Sequence, residues 1–251
     1  MMKIAMVTGA SSGIGAAFAK ELAAQGHRVI LVARRHDRLQ QLRESIQSAG
    51  GQAEVLEADL TRSEDLEQVC RRLRQDSIHL LVNNAGFGLY APLLDTDPNR
   101  EQEMIRLNVS SLVTLTRAAL PGMVERNRGG IIQVASTASF MPTPYMTAYG
   151  ASKAFVLHYG EGLAAELKGT GVTVTTVCPG STHSEFAERA GFRQQRLMSA
   201  EEVVKQALLA FNQKRPTLVT GSGNWVLTLL PRFLPRSWMA SLVARVFRNR
   251  T

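Results

Sequence analysis

The sequence predicts an α/β fold: one doubly wound domain, with a parallel sheet of about seven strands and helices on both faces. Three observations predict it. Short apolar runs alternate with helix-period segments from residue 3 to about residue 220. A glycine-rich turn, Gly9 to Gly15, follows the first apolar run directly. The unusual polar residues and glycines all fall just after an apolar run or on the helix behind it. Ligands of doubly wound sheets sit in that place, beyond the carboxyl ends of the strands.

Residues 3–8 read as a buried strand running into Thr8-Gly-Ala-Ser-Ser-Gly-Ile-Gly15, with a helix over 16–25. Gly9, Gly13 and Gly15 permit a tight turn and close backbone approach, and the helix N-terminus offers unpaired N–H groups to a pyrophosphate. The spacing is Gly-x-x-x-Gly-x-Gly, not the Gly-x-Gly-x-x-Gly of many dinucleotide binders. Structural turns use the same residues, and it is the place after the first strand that favours a cofactor. Residues 28–33 form the second strand, ending in Ala33-Arg34-Arg35 without an acid. An acid there would hold a ribose 2′-hydroxyl, whereas an arginine accommodates a 2′-phosphate. NADP(H) is therefore expected in preference to NAD(H), with Arg34, nearer the strand, as the better grip. The plain alternative is a solvated basic turn partnered by Asp37.

Strand three covers 52–57 and closes in Ala58-Asp59-Leu60; Ser63 is expected to cap the next helix, with Glu64 and Asp65 in its first turn. Strand four, 78–82, ends in Asn83-Asn84-Ala85-Gly86. A long helix over 98–125 is expected to bend before Pro121. It carries Asn108, which helix propensity does not favour, so that side chain is either exposed or bonded to something that compensates. Strand five, 130–135, has Ser136, Thr137 and Ser139 at its end. An apolar, proline-rich loop over 140–146 leads to a helix over 149–167, and strand six, 172–177, is followed by Cys178-Pro179-Gly180. Residues 181–198 show no clean period, which suits a mobile covering segment. A further helix opens at Ser199, and 217–220 is the seventh strand.

Tyr149 and Lys153 stand four apart on the predicted helix, so phenol and ammonium share one face. A fixed cation favours the phenolate, and moving a phenol from its usual pKa near 10 to ~7 takes about 4 kcal/mol of differential interaction. A phenol so tuned exchanges protons at neutral pH. A lone Tyr-x-x-x-Lys also occurs by chance in helices, and what raises its weight is the rest of the chain.

Composition supports a large core, with 45% hydrophobic residues, and no run reads as a linker. Cys70 and Cys178 are too few for a disulfide framework and point to buried thiols in a cytoplasmic protein. Glycines interrupt the first apolar run, so no signal peptide is expected. The net charge of +8 belongs to the tail: no acid follows Glu202, while Lys205, Lys214, Arg215, Arg232, Arg236, Arg245, Arg248 and Arg250 do. The body is balanced, which gives a nucleic-acid role no electrostatic support. No metal site is expected.

Taken together, Thr8-Gly-Ala-Ser-Ser-Gly-Ile-Gly15, Asp59, Asn83-Asn-Ala-Gly86, Asn108, Ser136, Tyr149-Gly-Ala-Ser-Lys153 and Pro179-Gly180 resemble the short-chain dehydrogenase/reductase family in order and spacing, over roughly residues 3–220. The resemblance implies a Rossmann-type domain whose Gly9, Ser11, Ser12, Gly13, Ile14 and Gly15 hold the cofactor. It implies that Tyr149 is the general acid/base, that Lys153 lowers its pKa and bonds the nicotinamide ribose, and that Ser136 holds the substrate oxygen. It further implies that Asn108 steadies a relay water and that Asp59, with Leu60, contacts the adenine. Asn83, Asn84, Ala85 and Gly86 would support the sheet and border the ribose, with Asn83, Ala85 and Gly86 as cofactor contacts, and Pro179, Gly180 and Thr182 would hold the carboxamide. The implied chemistry is hydride exchange between nicotinamide and a carbonyl carbon. Two departures stand out. Ser12 replaces the basic residue of many NADP-using relatives, and the chain runs on past Thr220-Gly-Ser-Gly-Asn-Trp225 where relatives end in a Val-Asp-Gly-Gly-like stretch that helps build tetramers.

The leading expectation is thus an NADP(H)-dependent oxidoreductase for a largely apolar alcohol or carbonyl substrate. Phe140, Met141, Pro144, Tyr145, Met146, Phe186 and Phe192 are candidates for the substrate wall. The rival is a non-catalytic NADPH-binding regulatory or sensor protein. Residues 1–224 are expected to form the cofactor- and substrate-binding domain, with 225–251 an amphipathic extension, and the assembly a homodimer or homotetramer. Pro231 and Pro235 interrupt the extension, so a helix is expected from about 236. In it Trp238, Met239, Leu242, Val243, Val246 and Phe247 share a face opposite Ser237, Ser241, Arg245 and Arg248. It is too short to span a bilayer. Packing on the body, sealing a dimer and weak contact of 236–250 with an anionic membrane surface all remain open.

Overall fold

The structure is a computed structural model that describes residues 2–183, 185–186, 190–191 and 198–248. Its strands are β1 Ile4–Thr8, β2 Arg28–Ala33, β3 Gln52–Glu57, β4 Ile78–Asn83, β5 Gly129–Val134, β6 Val172–Cys178 and β7 Thr217–Val219. All pair in parallel, in the order β3-β2-β1-β4-β5-β6-β7. This is the doubly wound α/β sheet that the alternation of elements predicts. The order reverses between β1 and β4, and that switch point opens a crevice at the carboxyl ends of the strands.

Period-two alternation divides the core. Ala5, Val7, Val29 and Leu31 point to one face and pack with Phe18, Leu22 and Leu39 of α1 (Gly13–Ala24) and α2 (His36–Ser48). Val203 of α7 (Ala200–Asn212) joins them there. Met6, Ile30, Val32 and Leu81 point to the other face. They meet Leu73, Leu115, Met123 and Leu163 from α3 (Ser63–Gln75), α5 (Leu112–Glu125) and α6 (Thr147–Glu166). Cys70 and Cys178 are buried, free thiols, as expected.

Several boundaries differ from the sequence expectation, each for a local reason. Helix α1 starts at Gly13 rather than at 16, because the Ala16 N–H already bonds Ser12 O at 3.3 Å. Ser63 is the first helical residue of α3 and Arg62 occupies the cap position, without a side-chain cap bond. The long helix over 98–125 is really three pieces. Asp97 caps α4 (Pro98–Ile105) through Asn99 N, a widened π turn covers Arg106–Ser111, and α5 then passes through Pro121. The irregularity therefore sits at Asn108, not before Pro121. Ser111 Oγ donates to Leu60 O at 2.6 Å and Asn108 Nδ2 to Phe87 O at 3.0 Å, so side-chain bonds to neighbouring strand ends widen the turn. The tail holds an unexpected helix, α8 (Ser222–Leu229), before the expected α9 (Arg236–Arg248), with Pro231 and Pro235 between them. Among the described residues no helix is long and apolar enough to cross a membrane.

Two glycines on α6 test the packing with opposite signs. A Cβ on Gly160 would strike Thr176 Oγ1 of β6, whereas one on Gly162 would meet open space. Gly160→Ala should cost about 1–3 kcal/mol by overpacking. Gly162→Ala should gain about 0.5–1 kcal/mol by removing backbone freedom from the unfolded chain. Urea unfolding of the two variants reads this, and equal signs would refute the assignment of the buried face.

Candidate active site

The glycine turn after β1 is left-handed at Gly9 and Gly13, with φ of 65° and 54°, which side-chain-bearing residues rarely adopt. Gly15 lies beneath the turn, where a Cβ would strike the Gly9 carbonyl oxygen. Asn84 locks the turn to the end of β4. Its Nδ2 donates to Thr8 O at 2.9 Å, and the Asn84 and Ala85 amides both donate to Thr8 Oγ1 at 3.0 Å. Ser12 stands at the N-cap of α1, yet its side chain makes no cap bond. Its hydroxyl instead accepts from Arg35 Nη2 at 2.9 Å, and Ser11 Oγ accepts from Nη2 and Nε of the same residue at 2.9 and 3.2 Å. The first turn of α1 thus keeps the unpaired amide donors of a helix N-terminus beside a guanidinium.

The two arginines after β2 divide differently from the expectation. Arg34, expected to be the better phosphate grip, is turned to carboxylates: Nη1 lies 3.1 Å from Glu103 and 3.6 Å from Asp59. Arg35 faces the glycine turn, and Glu185 bridges it to Arg38 at 2.9 and 3.3 Å. Burial raises the Asp59 pKa, but the Thr61 hydroxyl and amide and the Arg34 guanidinium outweigh it, so the carboxyl sits below its usual range.

Asn83 does not reach the cavity. Its Nδ2 donates to Thr116 Oγ1 at 3.0 Å on α5, which places it in the sheet-to-helix packing. Asn108 also lies behind the cavity wall, fully buried. It clasps Phe87 by both backbone groups, accepting from the N–H at 3.2 Å and donating to the oxygen at 3.0 Å, and it donates to Ser152 Oγ at 3.0 Å. Those bonds are what compensate an asparagine inside a helix.

Ser136, Tyr149 and Lys153 do converge, lining one cavity of about 540 Å³. Ser136 follows β5 and is hydrogen-bonded to Tyr149. Lys153 Nζ donates to Val134 O at 2.8 Å and lies 5.9 Å from the centre of the Tyr149 ring. The expected lowering of the phenol pKa is absent from the chain by itself. Burial pushes Tyr149 up to about 12, with only the Ser136 bond opposing it, and burial pulls Lys153 down to about 8. Desolvation is the largest cause of both shifts.

The same cavity is lined by Gly9, Ser11, Ser12, Gly13, Ile14, Arg34, Arg35, Asp59, Leu60, Ala85 and Gly86. Pro179, Gly180 and Thr182 line its other end, so of the expected cofactor contacts only Gly15 and Asn83 fall outside it. The glycine turn, the uncapped helix and the Arg35 cation fit a pyrophosphate-bearing dinucleotide. Met141, Met146 and Phe186 face the chamber as expected, with the Phe186 ring 5.2 Å from that of Tyr149. Phe140 and Pro144 do not line it. Tyr145 is turned away to Tyr90, their rings 6.1 Å apart, and its hydroxyl accepts from Arg248 Nε at 3.2 Å. Phe192, and most of the covering segment around it, lies outside the described residues. The sequence analysis missed the roof: Leu227, Leu230, Met239, Leu242, Val243, Val246 and Phe247 from the C-terminal segment line the cavity, and Asn224 packs on Gly180. The signal was present as an apolar helix face whose partner sequence could not supply.

A family model described as short chain dehydrogenase matches residues 3–195. A short chain dehydrogenase of Pseudocercospora fijiensis is 39% identical over 188 residues, which is 73% of this chain and 61% of that one. The chain thus spans about three fifths of that relative's length. The short-chain dehydrogenase from Sphingobium yanoikuyae in complex with NADPH superposes with a TM-score of 0.85 at 36% identity, over 90% of this chain and 92% of that one. The bulky-bulky ketone specific alcohol dehydrogenase from Comamonas testosteroni gives 0.81 at 32% identity, covering 92% of each chain.

The buried ammonium predicts a pH signature in stability. The folded pKa of Lys153, about 8, lies below its usual 10.5, so between those values the unfolded chain holds the extra proton and stability rises with pH. Below pH 8 both states are protonated and burial of the charge costs its full amount. Relative to Lys153→Met, the wild type should therefore gain about 2–3 kcal/mol between pH 7 and pH 10. Chemical unfolding across that range measures it, and a difference independent of pH would contradict the burial account.

Proposed function

The chain belongs to the short-chain dehydrogenase family, and we propose that it is an NADP(H)-dependent oxidoreductase interconverting an alcohol and a ketone of largely apolar character. The observation that carries the proposal is the meeting of Ser136, Tyr149 and Lys153 on the wall of a cavity whose polar end is the glycine turn and whose other end is faced by Met141, Met146, Phe186 and the apolar C-terminal segment. When bound, the nicotinamide cofactor supplies the carbon that gives or takes the hydride. The remaining work falls to the protein's own residues.

With a pKa of about 12, the Tyr149 phenol is neutral at pH 7 and presents a proton, which suits reduction of a carbonyl. Ser136, already bonded to that phenol, would share the substrate oxygen with it and fix its direction. As the proton leaves, Tyr149 becomes a phenolate and the oxygen of the substrate becomes a hydroxyl. The Lys153 ammonium, charged below about pH 8, stabilises that phenolate electrostatically. Recovery of the proton would run through Lys153, whose ammonium borders Gly86 together with the Asn108 carboxamide. A Cβ on that glycine would lie 2.7 Å from Asn108 Oδ1 and 3.4 Å from Lys153 Nζ.

The preference for NADP(H) rests on Arg35 rather than Arg34. Arg35 reaches both serine hydroxyls of the glycine turn, and with Arg38 it already holds one carboxylate, that of Glu185. Arg34 is engaged by Asp59 and Glu103. The similarity to an NADPH complex supports the preference. The similarity to an alcohol dehydrogenase specific for bulky-bulky ketones agrees with a roomy apolar chamber.

The test is consumption of NADPH with a panel of bulky apolar ketones; binding without turnover across the panel would support the sensor reading instead. Tyr149→Phe should leave less than about a tenth of kcat while cofactor affinity stays within a few-fold. A larger residual rate would remove Tyr149 from its role. Arg35→Ala should weaken NADPH binding about ten- to a hundredfold and barely change NADH, with Arg34→Ala the milder of the two. Equal kcat/KM of the wild type for both cofactors would end the proposed preference.

A further inference from the structure

We propose that the α8–α9 segment docks the protein on an anionic membrane surface, with the mouth of the substrate cavity set in the docked face. Helix α9 carries two apolar stripes, each repeating every four residues. Met239, Val243 and Phe247 form the inner one: the first two are buried, and Phe247 stacks on Tyr90 at 6.3 Å and accepts from its hydroxyl. Trp238, Leu242 and Val246 form the outer one, and they are 69, 47 and 50% exposed. Packing on the body explains only the first stripe. Trp225 and Val226 on α8 and Phe233 in the connecting turn, the last 80% exposed, extend the apolar surface. Clusters of large exposed apolar side chains mark interaction sites.

Charge selects the occupant. Arg245 stands one turn beyond Leu242 beside the outer stripe, Arg232 precedes Phe233, and both are exposed. No acidic residue follows Glu202 in the chain. A second copy meeting this segment through its own α8–α9 would bring the same arginines and no carboxylate. An anionic lipid surface supplies the missing charge, while tryptophan and aliphatic side chains enter the boundary between headgroups and acyl chains. No described helix can cross a bilayer, so the contact lies in the surface plane.

The stripe and the cavity are continuous, because Leu242 and Val246 belong to both. Docking would open the chamber towards the lipid phase, so that an apolar ketone could enter without crossing water. This last step rests on the proposed function, whereas docking itself does not.

The experiment sediments the full-length protein with phosphatidylglycerol vesicles and with phosphatidylcholine vesicles, at low and high salt. The comparison variant is Phe233→Ser with Trp238→Ser, neither of which lines the cavity. The wild type should pellet with phosphatidylglycerol at low salt, and binding should fall at least about tenfold with phosphatidylcholine, at high salt or in the variant. Turnover of a water-soluble ketone should be unchanged in the variant, which also shows that it folds. Wild type remaining in the supernatant with phosphatidylglycerol, or a variant that pellets equally well, overturns the proposal. A variant whose sedimentation velocity mass drops while vesicle binding is unaffected also overturns it and assigns the stripe to a second copy. Because the vesicle assay reads binding alone, its failure leaves the catalytic reading standing, and an inactive enzyme that pellets separates the two in the other direction.

Discussion

Lys153 carries a charge into a site where burial draws its pKa down to about 8, and the surrounding structure is arranged around keeping it there. Its ammonium donates to Val134 O, at the end of β5, and its backbone oxygen accepts from Ser139 Oγ at 2.8 Å. Ser139 Oγ also accepts from the Ser136 amide at 3.3 Å, and Ser136 is bonded to Tyr149. The Tyr149 backbone oxygen accepts from Ser152 Oγ at 2.7 Å, and Ser152 accepts in turn from Asn108. Asn108 ends the chain at Phe87, just beyond β4. Local bonds within α6 and the Ser136 turn alternate with bonds that join β5 to α6 and α6 to Asn108 and Phe87. Loss of one leaves a buried polar group without a partner, which is more costly than the bond is stabilising.

That network also explains which parts of the site could be read from sequence. Backbone-determined features were legible: Gly9 and Gly13 need left-handed φ, and Tyr149 and Lys153 share a helix face because four residues make about one turn. The strand alternation, and with it the parallel sheet, followed from short apolar runs. Choices between neighbouring side chains were not legible. Arg34 and Arg35 are adjacent and chemically identical, and only Glu103 and Asp59 on other elements draw Arg34 aside. Asn83 and Asn84 alternate across a strand end, so one enters the α5 packing and the other holds the glycine turn. The break at Asn108 had a signal in its low propensity, but its partner Phe87 lies beyond β4, far away in sequence. The burial that raises the Tyr149 pKa in the chain by itself was not legible, because pair spacing indicates attraction and says nothing of desolvation.

The cavity is therefore built from two kinds of wall. One side consists of strand ends joined by backbone and buried side-chain hydrogen bonds, which are directional and fix its geometry. The other side, from α8 and α9, is held mainly by apolar contacts, with polar ties at its end where Tyr90 reaches Phe247 O and Arg248 reaches Tyr145. Apolar contact is non-directional and scales with area, so side chains there can change in volume at modest cost so long as the space stays filled. Met239 and Val243 lie on this wall and make no bond to the Ser136–Tyr149–Lys153 group. A chamber of this construction can change the shape of its apolar wall while the Ser136–Tyr149–Lys153 group stays in place. Under the proposed function, proton transfer would fall to the hydrogen-bonded half and selection of the substrate to the apolar one.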